Sequence, residues 1–250
     1  MKLGTLTHPE AKAKIDAGVV ALIPVGATEA HGPHLPLDTD VRIAEETCRR
    51  AVEHLMSQAS LEALVLPSIA YSVTEYAAPF SGTIGVPAEA AKAYLSAVLR
   101  SAAAQGFAAV GLVNAHLEPA HRHVLRDAVG AVREGSPCPI VIADPCDRRW
   151  AQTLTEELAS GKCHAGQYET SLLLAAEAPV KAERERLPAV DIDLMAQMKA
   201  GKTTFDAMGA TEGYFGAPAA ATREEGEQSF TQLARIVTTM VLEVLGPKEG

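Results

Sequence analysis

Six of the chain's eight histidines fall in three short stretches, and each stretch also carries a carboxylate. The first holds Glu29, His31 and His34 and runs on to Asp40. The second holds His116 and Glu118, with His121 and His123 just beyond. The third holds His164 and Glu169. Residues two apart in an extended backbone point to the same side, so Glu29 pairs with His31 and His116 with Glu118. Together with Asp40 they form a mixed nitrogen and oxygen donor set without thiolates. Such a set suits Zn, Mn or Fe in a reactive site rather than a structural zinc site. Five side chains exceed the needs of one catalytic ion that keeps open positions. They suit two divalent ions roughly 3.5–4 Å apart that share a bridging carboxylate. Taken singly, each feature has a plainer reading: Asp40 as a helix N-cap, either pair as a solvated loop, His164 as a helix cap. Charge buried at two separate strand ends, however, needs partners. His164 lies on a loop of small residues and, with a reference pKa of about 6.5, is suited to moving a proton near neutrality. Glu169 is placed to orient it or to contact a bound group. His8 and His54 stand apart from all three stretches.

These residues need elements to position them, and the pattern of apolar residues predicts which. Val19–Val25, Ala63–Ile69, Ala108–Val113 and Ile140–Ala143 are nearly continuous apolar runs, as strands covered on both faces are. Helical spacing marks Asp40–Met56, Pro87–Gln105, Pro119–Val132, Asp147–Leu158, Gln167–Ala178 and Thr222–Leu245. The last opens on Thr222-Arg223-Glu224-Glu225 like a capping box. Alternating strands and helices predict an α/β fold, residues 1–250 forming a single domain with a mainly parallel central β-sheet covered by helices. In such sheets ligands bind beyond the carboxyl ends of the strands. The first two histidine stretches follow predicted strands directly.

Composition excludes several classes. Hydrophobic residues make up 48% of the 250 and charged residues 21%, a globular balance. The net charge of -9, with no basic run, argues against a nucleic-acid partner. No apolar run reaches membrane-spanning length, and Met1–Thr5 lacks the apolar region of a signal peptide. Cys48, Cys138, Cys146 and Cys163 show no CxxC spacing, which fits reduced thiols in a cytoplasmic protein.

The motifs VGATEAHGPHLPLDTD (25–40), VNAHLEPAH (113–121) and HAGQYETSLLL (164–174) resemble the creatininase family, the creatinine amidohydrolases. SGTIGVP (81–87) and GYFGAPAAATREEG (213–226) fit the same family, in the same order. The resemblance implies a creatininase-like α/β fold, two divalent metal ions and a homo-oligomer, commonly a hexamer. It implies that Glu29, Asp40 and His116 hold one ion, and that His31, Asp40 and Glu118 hold the other, with Asp40 bridging. Glu118 and His164 would then act in catalysis, and Leu117, Ser72 and Glu169 would meet the substrate. Two departures set this chain apart from creatininase proper. Leu117 stands where creatininase has a tyrosine. Ala159-Ser160-Gly161-Lys162 stands where creatininase has a tryptophan–aspartate pair; the only tryptophan here is Trp150. The implied activity is therefore hydrolysis of a small cyclic amide or related carbonyl compound other than creatinine. The alternatives are a carbon–carbon hydrolase of a cyclic ketone, a peptidase in cofactor maturation, or a non-catalytic ligand-binding member of the family.

Overall fold

The computed structural model describes residues 1–161 and 163–246. Four strands form one parallel sheet: β1 (Val20–Val25), β2 (Ala63–Val65), β3 (Val110–Asn114) and β4 (Ile140–Ala143), in the order β2-β1-β3-β4. The chain leaves β1 toward β2 on one side and returns to β3 on the other. β1 and β3 therefore flank the point where the winding reverses, the usual position of a ligand crevice. Val25 pairs with Asn114, so these two strands end level with each other.

Side chains alternate along β1 and feed two cores. Val20 and Leu22 pack on one face with α2 (Thr39–Ala59), α6 (Gln167–Ala175) and α8 (Arg223–Leu245). Ala21, Ile23 and Val25 pack on the other with α3 (Ala88–Ala104) and α4 (Pro119–Arg133). Coverage on both faces explains why the strands carry no polar alternation. A smaller apolar cluster of Ala77, Leu194, Phe205, Met208, Ala210 and Phe215 sits apart from both, and the short helix α7 (Leu194–Lys199) belongs to it.

Several local expectations need correction. α1 (His8–Asp16) has no apolar face to reveal it; a capping box between Thr7 and Glu10 starts it. The helix expected over Asp147–Leu158 does not form as one element. Asp144 and Asp147 accept the N–H groups of Cys146 and Arg149 with their carboxylates, local bonds that compete with helix. A single 3-10 turn at Ala151–Thr153 follows, and Thr155 caps a new helix, α5 (Glu156–Ser160). α6 stops at Ala175, before Pro179, because Glu177 adopts a left-handed conformation with φ of 55°. At Thr222 half of the capping box forms: Thr222 accepts the Glu225 N–H, while Glu225 bonds Gln167 instead of reaching back. The second strand is shorter than expected, although Ile69 still bridges to Val25.

Gly26 controls how closely α2 approaches the end of β1. A Cβ there would lie 2.6 Å from the Val41 nitrogen and 2.7 Å from the Asp40 Cβ. Gly130, inside α4, has nothing within 4 Å of its missing Cβ. Gly26→Ala should therefore destabilise the fold by about 1–3 kcal/mol, the usual cost of overpacking. Gly130→Ala should stabilise it by about 0.4–1 kcal/mol by restricting the unfolded chain. Denaturant titration of both variants is the check, and a neutral Gly26→Ala would mean that α2 can shift freely.

Candidate metal centre and active site

The three histidine stretches converge beyond the ends of β1 and β3. Asp40, in the first turn of α2, lies between two histidines. Its Oδ1 is 3.1 Å from His31 Nε2 and its Oδ2 is 3.0 Å from His116 Nδ1. The helix starts from Asp38, so Asp40 is not its N-cap; the carboxylate faces inward and also accepts the Ala27 N–H at 3.2 Å. Glu29 stands 3.3 Å from His116 Nδ1. All of these groups are buried.

The orientation of each histidine is set by a backbone carbonyl. His31 Nδ1–H donates to the Glu29 carbonyl (3.1 Å), which turns Nε2 into the cluster. His116 Nε2–H donates to the Val73 carbonyl (2.8 Å), which turns Nδ1 the same way. His164 Nε2–H donates to the Ala30 carbonyl (2.9 Å), leaving its Nδ1 3.9 Å from Glu29. His164 therefore does not cap α6, whose N-cap is Gly166. Its ring stacks on His31 at 4.5 Å and on Phe205 at 4.4 Å.

The remaining carboxylates take separate sides. Glu118 groups with Glu29 and His116, and its oxygens accept the N–H groups of Glu75 (3.0 Å) and Tyr76 (3.3 Å). Glu169 groups with His31 and Asp40; it is 3.7 Å from His31 Nε2 and accepts the Ala165 N–H at 2.6 Å. Ala165 holds φ at 52°, an uncommon conformation for alanine, at the loop that presents His164. The resemblance implies that Glu118 shares an ion with His31 and Asp40.

Charge balances within the cluster. Burial alone would raise the pKa values of Asp40 and Glu29. Asp40 is instead held well below the carboxylate range by His31 and His116, and Glu29 is lowered by His116. Burial opposes a charge on His31, yet Asp40, Glu169 and Glu29 carry it up to about 10. Burial pushes Glu118 and Glu169 up to about 7, against the pull of His116 and His31 respectively. Burial, and then His31, push His164 down to about 4, so it is a neutral imidazole.

The donor set fits divalent ions on two grounds. His31 Nε2 is fully buried, and although Asp40 Oδ1 lies 3.1 Å away the nitrogen makes no aligned hydrogen bond, which buried polar atoms rarely forgo. Four carboxylates and three histidines also place ligand atoms in three mutually close groups.

Above the cluster lies a narrow cleft of about 40 Å³, walled by Tyr76, Leu117, Leu194, Met198 and Phe205. Leu117 lines it, as expected. Ser72 does not: it is fully buried and its hydroxyl is bonded to His121, which corrects its place on the substrate wall. Thr74, which donates to Glu29, and the wall residues Leu194, Met198 and Phe205 were not singled out from the sequence. Leu194 and Met198 lie on α7, and Thr74 and Phe205 in loops, all in segments without histidines, so only tertiary contact brings them here. Ser160 and Gly161, from the stretch that stands where creatininase has its tryptophan–aspartate pair, are absent from the cleft lining, and Lys162 lies outside the described residues.

The family model for creatininase, described as creatinine amidohydrolase, matches residues 4–241. The chain belongs to the creatininase family, a family of hydrolases. It is 32% identical over 240 residues to a mycofactocin precursor peptide peptidase of Mycolicibacterium smegmatis, covering 92% of this chain and 86% of that protein. The protein of the same name from Mycobacterium tuberculosis is 35% identical over 223 residues, with 85% and 80% covered. A solved structure titled "Creatininase Mn" superposes with a TM-score of 0.75 at 22% identity, and a creatininase variant of Zn-Zn type with 0.76 at 22%; each covers 98% of both chains. Among the described residues, no helix is long and apolar enough to cross a membrane.

If these buried donors form a metal centre, metal should stabilise the fold by mass action, by about 2.7 kcal/mol at a hundred times its Kd. Zn or Mn should raise the melting temperature and EDTA should reverse the rise. Identical melting curves with and without metal would refute a metal centre.

Proposed function

We propose that this chain is a metal-dependent hydrolase that cleaves an amide C–N bond in a short peptide. One observation carries the reading: Asp40 offers one carboxylate oxygen to His31 and the other to His116, beneath an apolar cleft. The relatives at 32–35% identity, which are named as peptidases of a precursor peptide, support a peptide as the substrate. The substitution of Leu117 for a polar aromatic residue supports it further, because an apolar wall favours an apolar peptide side chain over a polar ring. A small cyclic amide is the second reading, favoured by the small volume of the cleft.

Glu29, Asp40 and His116 would hold one ion. His31 and Asp40 would hold the other, completed by Glu118, as the resemblance implies, or by Glu169, which lies nearer His31 here. When bound, such ions supply Lewis acidity toward a carbonyl and a water of lowered pKa. The chain's own residues do the rest. Leu117, Met198 and Phe205 exclude bulk water from the cleft. The hydrogen bond from His164 Nε2–H to Ala30 leaves Nδ1 as the proton acceptor facing the cluster. As a water oxygen bonds to the amide carbon, Nδ1 takes the water's proton. It then delivers that proton to the departing nitrogen as the C–N bond breaks. The main-chain N–H groups of Glu75 and Tyr76 keep the Glu118 carboxylate in place.

Three measurements test this reading. Metal-supplied protein should cleave a precursor-type peptide, seen by mass spectrometry, and leave creatinine intact; turnover of lactams or cyclic ureas alone would support the second reading. Elemental analysis should find about two ions per chain and none tightly held after Asp40→Ala; loss of a single ion there would remove it as the bridge, and whichever of Glu118→Gln and Glu169→Gln leaves one ion identifies the carboxylate that completes the second site. His164→Asn should keep both ions and lower kcat about 10²–10⁴-fold, the usual contribution of a general acid–base group. Near-native kcat in that variant would reject the proton-carrying role.

A further inference from the structure

Beside the cluster lies a buried polar assembly to which the proposed reaction gives no part. Ser72, His121 and Asn114 are buried next to His116, and none of them lines the cleft. They have the residue types of a nucleophile, a base and an orienting amide, but no open space reaches the Ser72 hydroxyl. Their chemistry is therefore one of position.

The direction of each hydrogen bond follows from the donors available. Asn114 Nδ2 donates to the His116 carbonyl at 2.9 Å. Its Oδ1 is then the acceptor for the His116 N–H at 3.2 Å and for His121 Nε2 at 3.0 Å. His121 must carry its proton on Nε2. With the proton on Nε2, its Nδ1 accepts the Ser72 hydroxyl at 2.6 Å. Ser72 is joined directly to Val73, whose carbonyl accepts His116 Nε2–H. The bonds thus form a closed ring. It runs from the His116 main chain through Asn114, His121 and Ser72 to Val73, and back to the His116 imidazole. The His121 ring also packs on that of His116, with centroids 4.7 Å apart.

We propose that His121 is a positioning residue: by joining Asn114 to Ser72 it closes this ring and fixes His116 with Nε2 protonated and Nδ1 turned toward Glu29 and Asp40. Among the described residues, His121 is the one whose side chain hydrogen-bonds both Asn114 and Ser72. Asn114 holds the His116 main chain, Val73, next to Ser72, supplies the carbonyl that holds its side chain, and His121 couples Asn114 to Ser72. The effect on metal rests on the metal-dependent reading of the site; the ring itself does not.

The test uses His121→Phe, which keeps a ring of similar size but loses both hydrogen bonds, and Ser72→Ala, which loses one. Neither changes a proposed ligand. Groups that orient a metal-binding histidine are worth about 10–100-fold in affinity. Zn competition against a chromophoric chelator should show one ion weakened by that factor in His121→Phe and clearly weakened in Ser72→Ala. The double variant should be no weaker than His121→Phe, because both changes open the same ring. Long-range ¹H–¹⁵N correlation on metal-free wild-type protein should read His121 as the Nε2–H tautomer. An Nδ1–H tautomer overturns the proposal, and so does unchanged Zn affinity in Ser72→Ala, which decides the matter if His121→Phe fails to fold. Wild-type protein that binds no Zn overturns the metal reading instead, and the tautomer then decides whether the ring exists.

Discussion

A buried carboxylate shared between two histidines is the constraint on which the rest of this molecule depends. Asp40 cannot be charged and dry without partners, and the fold supplies them from three directions. His31 comes from the loop after β1, His116 from the end of β3, and the amino end of α2 adds the favourable side of its dipole. Gly26 lets α2 come close enough for this to happen. The parallel register that ends β1 and β3 together sets the spacing of the two histidines.

The segment from Ser72 to Tyr76 acts as a strap across the cluster. The Ser72 hydroxyl reaches His121, the Val73 carbonyl holds His116, the Thr74 hydroxyl holds Glu29, and the Glu75 and Tyr76 N–H groups hold Glu118. Five consecutive residues thus hold side chains drawn from two different strand ends. Most of these contacts use the main chain, so residue type along the strap says little about the job it does. A polar cluster held this way is preorganised by the chain itself.

The wall of the cleft belongs to a different layer of the structure. Leu194, Met198 and Phe205 come from the small third core rather than from the sheet and its helices. The buried polar floor is thereby separated from the apolar wall of the cleft, to which Leu117 also belongs.

Sequence alone determined the parallel α/β layering, the strand ends as the place for chemistry, and the grouping of Glu29, His31, Asp40, His116, Glu118, His164 and Glu169. These were legible because they rest on local rules. Apolar runs mark buried strands, helical spacing marks their covers, and histidine–carboxylate pairs two residues apart mark shared direction. Only the tertiary structure decided that the Ser72 hydroxyl bonds His121, that Glu169 comes within 3.7 Å of His31 Nε2, and that Phe205 covers His164. It also broke the helix expected over Asp147–Leu158, where side-chain bonds to nearby N–H groups outweighed the apolar spacing. The physical reason is common to all of these. Each depends on which groups satisfy one another across long stretches of chain, and a buried polar atom chooses its partner by distance in space, which no spacing along the sequence encodes.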